Sequence, residues 1–150
     1  RSTLFPYTTL FRSQPLSLLI TQAYLKLERQ SPQVLQKKAQ AATQKRAQTQ
    51  PLSQASAGCF WQNVPNNATL QKLFPQFAQQ QRISAGFLID QAGLKGANIG
   101  HAQVSTQHAS FIINRGNASQ KDVLKLADLI SQTVKEKFNC QLIKEVKVIN

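Results

Sequence analysis

Acidic residues are scarce in this 150-residue chain: six Asp and Glu stand against 18 Lys and Arg, a net charge of +12 at pH 7. Such a field favours anionic partners, either phosphate-bearing ligands or nucleic acid. Cysteine is scarcer still. Cys59 and Cys140 are too few for a disulfide scaffold and lie in no close-spaced metal pattern, so no metal site is expected and the expected compartment is a reducing cytoplasm. Long apolar runs are missing as well. "PLSLLI" and "ASFII" fall far short of the roughly 20 residues a bilayer crossing needs, so no membrane span is predicted. No Gly-x-Gly-x-x-Gly follows a predicted strand and no Gly-x-x-x-x-Gly-Lys-Ser/Thr loop occurs, which argues against a doubly wound nucleotide fold.

The first thirteen residues, "RSTLFPYTTLFRS", lack the basic, apolar, then small-residue order of a secretory signal. Thr3 to Ser13 instead resembles the in-frame translation of a sequencing-library adapter. Residues 1–13 are therefore expected to be non-native and are set aside.

What remains reads as α+β. "PLSLLITQAYLKL", Pro15 to Leu27, is apolar and then alternating, which predicts a strand. Ser31 and Pro32 open a predicted helix through Arg46, whose stripe of Val34, Leu35, Ala39, Ala42 and Ala47 is weak. Residues 53–82 read as loop-rich, beginning with a tight turn at Ala57-Gly58. Ser84 caps a predicted short helix that Gly93 stops. "ANIGHAQVS" and "HASFIINRG" predict one strand each. In "NASQKDVLKLADLISQTVKEKF", Ser119 and Asp122 have capping-box spacing, and Val123, Leu126, Ala127, Ile130 and Val134 share one helical face. "EVKVI" predicts a closing strand. The fold class expected is α+β, with helices on a small mixed or antiparallel sheet.

Few residues can carry chemistry: Cys59, His101, His108, Glu145, Asp90 and the amides Gln62 and Asn63. Cys59 follows a glycine, where backbone N–H groups can act on a thiol, but a lone cysteine is more often packed than reactive. A histidine paired with it makes a nucleophile, and nothing in the spacing requires that pairing. Glu145, preceded by Lys144, reads on pattern alone as a strand-edge residue.

The blocks "KRAQTQPLSQASAGCFWQN", "SAGFLIDQAGLKGANIGHAQVSTQHASFIINRGNASQKDVLKLADLISQTVKEKF" and "KEVKVI" together resemble the C-terminal third of UDP-N-acetylenolpyruvoylglucosamine reductase. The resemblance implies that residues 14–47 end a preceding FAD-binding domain and 48–150 form a substrate-binding domain. It also implies FAD, reduced by NADPH, and a UDP-sugar substrate whose enolpyruvyl ether is reduced to a lactyl ether for peptidoglycan synthesis. A serine after the turn glycine is the family's usual proton donor; Cys59 stands there, and Ser56 does not. Glu145 in "KEVKVI" matches the family's C-terminal glutamate, and Asn63 an asparagine that contacts substrate. Gln62 replaces a more usual lysine, which removes a cation from the diphosphate contact. Gln107 or His108 falls where a polar group meets substrate. In "IGHA", His101 replaces a second glycine and must point away or gate the pocket. The family's catalytic arginine lies upstream of every matched block, so this chain alone is expected to be inactive and to hold no flavin. Two other readings stay open: a small basic nucleic-acid-binding module, and a cysteine hydrolase using Cys59 and His108.

Overall fold

A computed structural model describes residues 21, 22 and 24–149. Contacts divide the chain into two units, Arg1–Gln36 and Lys37–Asn150.

The first helix, α1 (Pro32–Thr49), starts at the predicted proline and runs three residues past Arg46. It buries no side chain, and Val34 and Leu35 are about half exposed. Its weak stripe explains this, because a helix lacking a wide apolar face gains little from packing. Most of the predicted Pro15–Leu27 strand lies outside the described residues. Within them, residues 24–27 form no strand, and Tyr24, Leu25 and Leu27 are exposed. Alternation becomes a strand only against a partner edge, and no described residue pairs with them.

The loop-rich reading of residues 53–82 gives way to short elements: β1 (Ala55–Cys59), β2 (Val64–Pro65), α2 (Ala68–Leu73), a 3-10 turn (Pro75–Phe77) and β3 (Arg82–Ile83). Periodicity could not reveal strands of two residues or a helix of six. Then follow α3 (Ala85–Gln91), β4 (Asn98–Ile99), β5 (Ala102–Val104), β6 (Phe111–Asn114) and α4 (Gln120–Phe138). The predicted single strand "ANIGHAQVS" is a hairpin, β4–β5, folded at Gly100 (φ 54°) and His101. Ser84 caps α3 and Gly93 follows it with φ 79°, as the sequence predicted.

The main sheet is antiparallel in the order β1-β6-β5-β4, and β2 pairs with β3 in a second, two-stranded sheet. Leu126, Ala127, Ile130 and Val134 of α4 are buried on one core with Val104, Ile112, Leu88 and Ile89. At the N-terminus of α4 the capping box is complete: the Asp122 N–H donates to Ser119 Oγ at 3.1 Å, and the Ser119 N–H to Asp122 Oδ2 at 3.0 Å. At its C-terminus Lys137 Nζ donates to the Ala92 carbonyl at 2.7 Å, tying α4 to the end of α3. Phe74 packs edge-on against Phe87 of α3 and Phe138 of α4, with ring centres 5.1 and 5.5 Å away.

The predicted turn at Ala57-Gly58 lies instead within β1. Ser56 pairs with Ile113 and Cys59 with Phe111, so three steps on β1 span two on β6. That is a β-bulge, and Gly58 at φ 86° supplies it. In strict register Cys59 would stand opposite Ser110. The extra residue moves its side chain to the Phe111 face, because a one-residue slip exchanges the two faces of a strand. Cys59 is exposed, while Phe60 enters the core.

The closing strand predicted for "EVKVI" is only an isolated bridge, Trp61 with Lys144. Beyond it the antiparallel ladder would need Cys59 and Gly58 as its next partners, where the bulge takes β1 out of line. Val148 and Ile149 are left exposed.

Candidate active site

Residues 59–63 leave β1 and run beside residues 143–145. The Gln62 N–H donates to the Ile143 carbonyl and the Glu145 N–H to the Phe60 carbonyl, each at 2.9 Å. These bonds bring Glu145 beside Cys59, close enough for the carboxylate to act on the thiol. The Cys59 pKa is raised: burial of one side of the sulfur contributes most, and the negative charge of Glu145 adds to it. Between them in weight is an opposing hydrogen bond from the Ser110 side chain. At neutral pH the thiol keeps its proton.

Ser110 is buried and is fixed by its backbone. Its carbonyl accepts from the Phe60 N–H at 2.7 Å, and its N–H donates to His108 Nδ1 at 3.3 Å. The sequence reading missed it, since "HAS" before a strand looks like ordinary strand entry. The signal present was a hydroxyl at the residue preceding buried Phe111, Ile112 and Ile113.

His108 and Gln107 belong to a neighbouring cleft of about 160 Å³, lined by Ser84, Gly86, Phe87, Asp90 and Lys95. Buried Ser105 shapes the loop beneath it by accepting from the Gln107 and His108 N–H groups at 3.2 and 3.3 Å. Gln107 Nε2 donates to the Ala47 carbonyl at 2.7 Å. The His108 ring stands 5.0 Å from Phe111 and abuts Gly86, where an added Cβ would come within 3.2 Å of Cε1. Its pKa is lowered, chiefly by burial, with Lys95 adding a smaller push against a backbone hydrogen bond. A neutral ring with Nδ1 accepting carries its proton on Nε2. Asp90 is paired with Lys95 at 2.7 Å.

The remaining candidates are dispersed. Asn63 is exposed, and its carbonyl accepts from the Arg82 guanidinium at 3.0 Å through Nε, with a second bond through Nη2. His101 is exposed in the β4–β5 turn, where its charge bears on Asp122. Among the described residues, no group of three His, Cys, Asp or Glu could hold a metal ion, and no helix is long and apolar enough to cross a membrane.

The pattern of the UDP-N-acetylenolpyruvoylglucosamine reductase C-terminal domain matches residues 50–149. The chain belongs to this family. It is 38% identical over 131 residues to the UDP-N-acetylenolpyruvoylglucosamine reductase of Caldanaerobacter subterraneus, covering 87% of this chain and 38% of that protein. It is 34% identical over 146 residues to the reductase of that name from Bacillus subtilis, covering 97% and 43%. The crystal structure of the UDP-N-acetylenolpyruvylglucosamine reductase from Thermus caldophilus superposes with a TM-score of 0.58 at 32% identity, over 81% of this chain and 37% of that one. The chain thus spans about two-fifths of the length of these reductases.

Burial, the Ser110 hydroxyl and the Glu145 carboxylate are thus the influences that act on the protonated Cys59 thiol.

Proposed function

We propose that residues 48–150 are the substrate-binding domain of an FAD-dependent reductase that converts UDP-N-acetylglucosamine enolpyruvate to UDP-N-acetylmuramate, in peptidoglycan precursor synthesis in the bacterial cytoplasm. Hydride from an NADPH-reduced flavin is the chemistry the family supplies, and no described residue is assigned to it. This chain's part is to bind the UDP-sugar and deliver the proton.

Cys59 is the donor. Once the enol ether is reduced, the carbon next to the carboxylate carries an electron pair as an enolate. That pair forms the new C–H bond, the S–H pair stays on sulfur as thiolate, and water later restores the proton. A general acid must reach the reaction still protonated. The observation that carries the reading is exposed Cys59 with Glu145 near it, its thiol pKa raised first by burial and then by the Glu145 charge, so that it is protonated at neutral pH. Glu145 also polarises the substrate end of the site in this reading. Asn63 and Gln62 contact the UDP-sugar, and Gln107 or His108 supplies a further polar contact from the adjoining cleft.

A cysteine hydrolase has less support. His108 Nδ1 is taken by the Ser110 N–H, and the groups that bear on Cys59 are Ser110 and Glu145. A raised thiol pKa also opposes nucleophile activation.

The test is a chimera in which residues 48–150 replace the matching part of the Thermus caldophilus reductase. Turnover of the enolpyruvyl substrate with NADPH is expected, lost about 10²-fold or more in Cys59→Ala and kept in Cys59→Ser. Full turnover in Cys59→Ala would sink the assignment.

A further inference from the structure

Two glycines in this chain follow a Ser-Ala pair, Gly58 and Gly86, and the structure uses them differently. Gly58 supplies a positive φ, whereas Gly86 lies in the first turn of α3 and is not among the residues with positive φ. Alanine is the better helix former, so a glycine inside a helix calls for another cause. Here the cause is space. A Cβ at Gly86 would stand 3.2 Å from His108 Cε1, 3.4 Å from His108 Nδ1 and 3.3 Å from the Ser110 nitrogen. These are the ring edge and the donor that meet each other, since the Ser110 N–H donates to Nδ1 at 3.3 Å. The ring has little room to retreat. The His108 N–H donates to buried Ser105 Oγ at 3.3 Å, its carbonyl accepts from the Phe111 N–H at 2.9 Å, and the Phe111 ring centre is 5.0 Å away.

We propose that Gly86 is the positioning residue for His108: its missing side chain lets the ring sit against α3 with Nδ1 on the Ser110 N–H, so that His108 meets the UDP-sugar as an Nε2–H donor. The proposal rests on the reading of the cleft as part of the substrate site. An uncharged imidazole carries one proton, and a ring whose Nδ1 accepts a hydrogen bond holds that proton on Nε2. Among the described residues Nε2 makes no hydrogen bond, and it is not one of the enclosed atoms without a partner, which are Trp61 Nε1 and Asn66 Oδ1. It is left for a ligand of the cleft that His108 lines with Gly86 and Phe87. The Asp90 carboxylate in the same cleft is already held by Lys95 at 2.7 Å. A fixed donor suits an acceptor oxygen of the ligand, carbonyl or phosphoryl, and opposes an N–H at that point. With Nδ1 released, the ring could take either tautomer, and that selection would be lost.

The experiment is long-range proton–nitrogen NMR correlation of the His108 ring in the 150-residue chain in mildly alkaline buffer, with exposed His101 as reference. His108 is expected to show one protonated nitrogen, Nε2. In Gly86→Ala its pattern is expected to move towards that of two exchanging tautomers. In the chimera the same substitution is expected to raise KM for the enolpyruvyl substrate about 3- to 10-fold, with kcat little changed. A purely structural glycine would leave the tautomer alone. With the ring removed, in His108→Ala, adding Gly86→Ala is expected to lower the thermal midpoint less than it does in the parent. A protonated Nδ1 in the parent chain, a His108 pattern unmoved by Gly86→Ala, or an equal drop in midpoint with and without the ring would each overturn the proposal. Should Gly86→Ala fail to fold, the double variant decides: its failure as well would mean that the glycine makes no room for the ring. The spectrum reads the ring without turnover, so an inactive chimera sinks the substrate reading and leaves the positioning of His108 to be judged on the spectrum.

Discussion

The Glu145 N–H donates to the carbonyl of Phe60 at 2.9 Å, so the last apolar stretch of the chain is fastened to the residue that follows Cys59. One hydrogen bond thereby joins residues 85 positions apart and brings a carboxylate next to a thiol. Opposition across a sheet edge is how side chains distant in sequence meet.

Replacing Glu145 by Gln removes the negative charge and keeps the backbone bond. Because Glu145 raises the Cys59 pKa, its loss lets that pKa fall. Iodoacetamide labelling of Cys59 near neutral pH should quicken, with the thermal midpoint of the chain little changed. Unchanged or slower labelling would contradict the proximity of the two groups.

The bulge in β1 depends on a positive φ at Gly58, where an added Cβ meets nothing within 4 Å. Gly58→Ala therefore tests conformation without a steric clash. A cost of about 1 kcal/mol is expected from urea unfolding. If the chain escapes the strain by straightening β1, Cys59 turns towards the core and its labelling falls. Full stability with unaltered labelling would show that the bulge does not need glycine.

At Gly100 the constraint is contact. A Cβ there would lie 2.7 Å from Asp122 Cγ, on a backbone already at φ 54°. Gly100→Ala should displace Asp122 from the capping box and cost on the order of 1–3 kcal/mol. Acid should act on the same cap. The Asp122 carboxyl is held below its ordinary value of 3.8 by the Ser119 N–H and hydroxyl. A depressed carboxylate contributes stability that is present above the unfolded value and lost as pH falls through the folded one. Urea midpoints should drop below about pH 4, and Asp122→Asn should flatten that drop. An equal drop in the Asn variant would remove Asp122 as its source.

His108 gives a second pH window. Its pKa lies below the ordinary 6.5, mainly through burial. As pH falls through 6.5 the unfolded chain takes up a proton that the folded chain does not, so stability declines until the folded value is passed. His108→Gln should abolish this part of the slope. NMR titration of the ring protons gives the midpoint directly, and a value above 6.5 would reverse the sign.

Much of the architecture was legible in sequence because it is local. Ser119 and Asp122 at three-residue spacing, followed by apolar residues every three or four, specify the start and the buried face of α4 without reference to anything else. Ser84 and Gly93 do the same for α3. The misreadings fall where the deciding partner is distant. Alternation in "EVKVI" is real, but whether it becomes a strand is decided by residues 58–62. Ala57-Gly58 carries the composition of a turn, yet β6 pairs across it and makes it a bulge.

The sequence by itself determined the α+β class, the two capped helices and a family resemblance carried by the residues around Cys59 and Glu145. Short-range spacing and residue chemistry suffice for these. Only the tertiary structure decided that Cys59 is exposed and that the Glu145 backbone is fastened to Phe60 beside it. Each of those depends on the register between strands far apart in the chain. A single inserted residue at Gly58 reverses which face a side chain occupies, and no local pattern encodes the strand it is measured against.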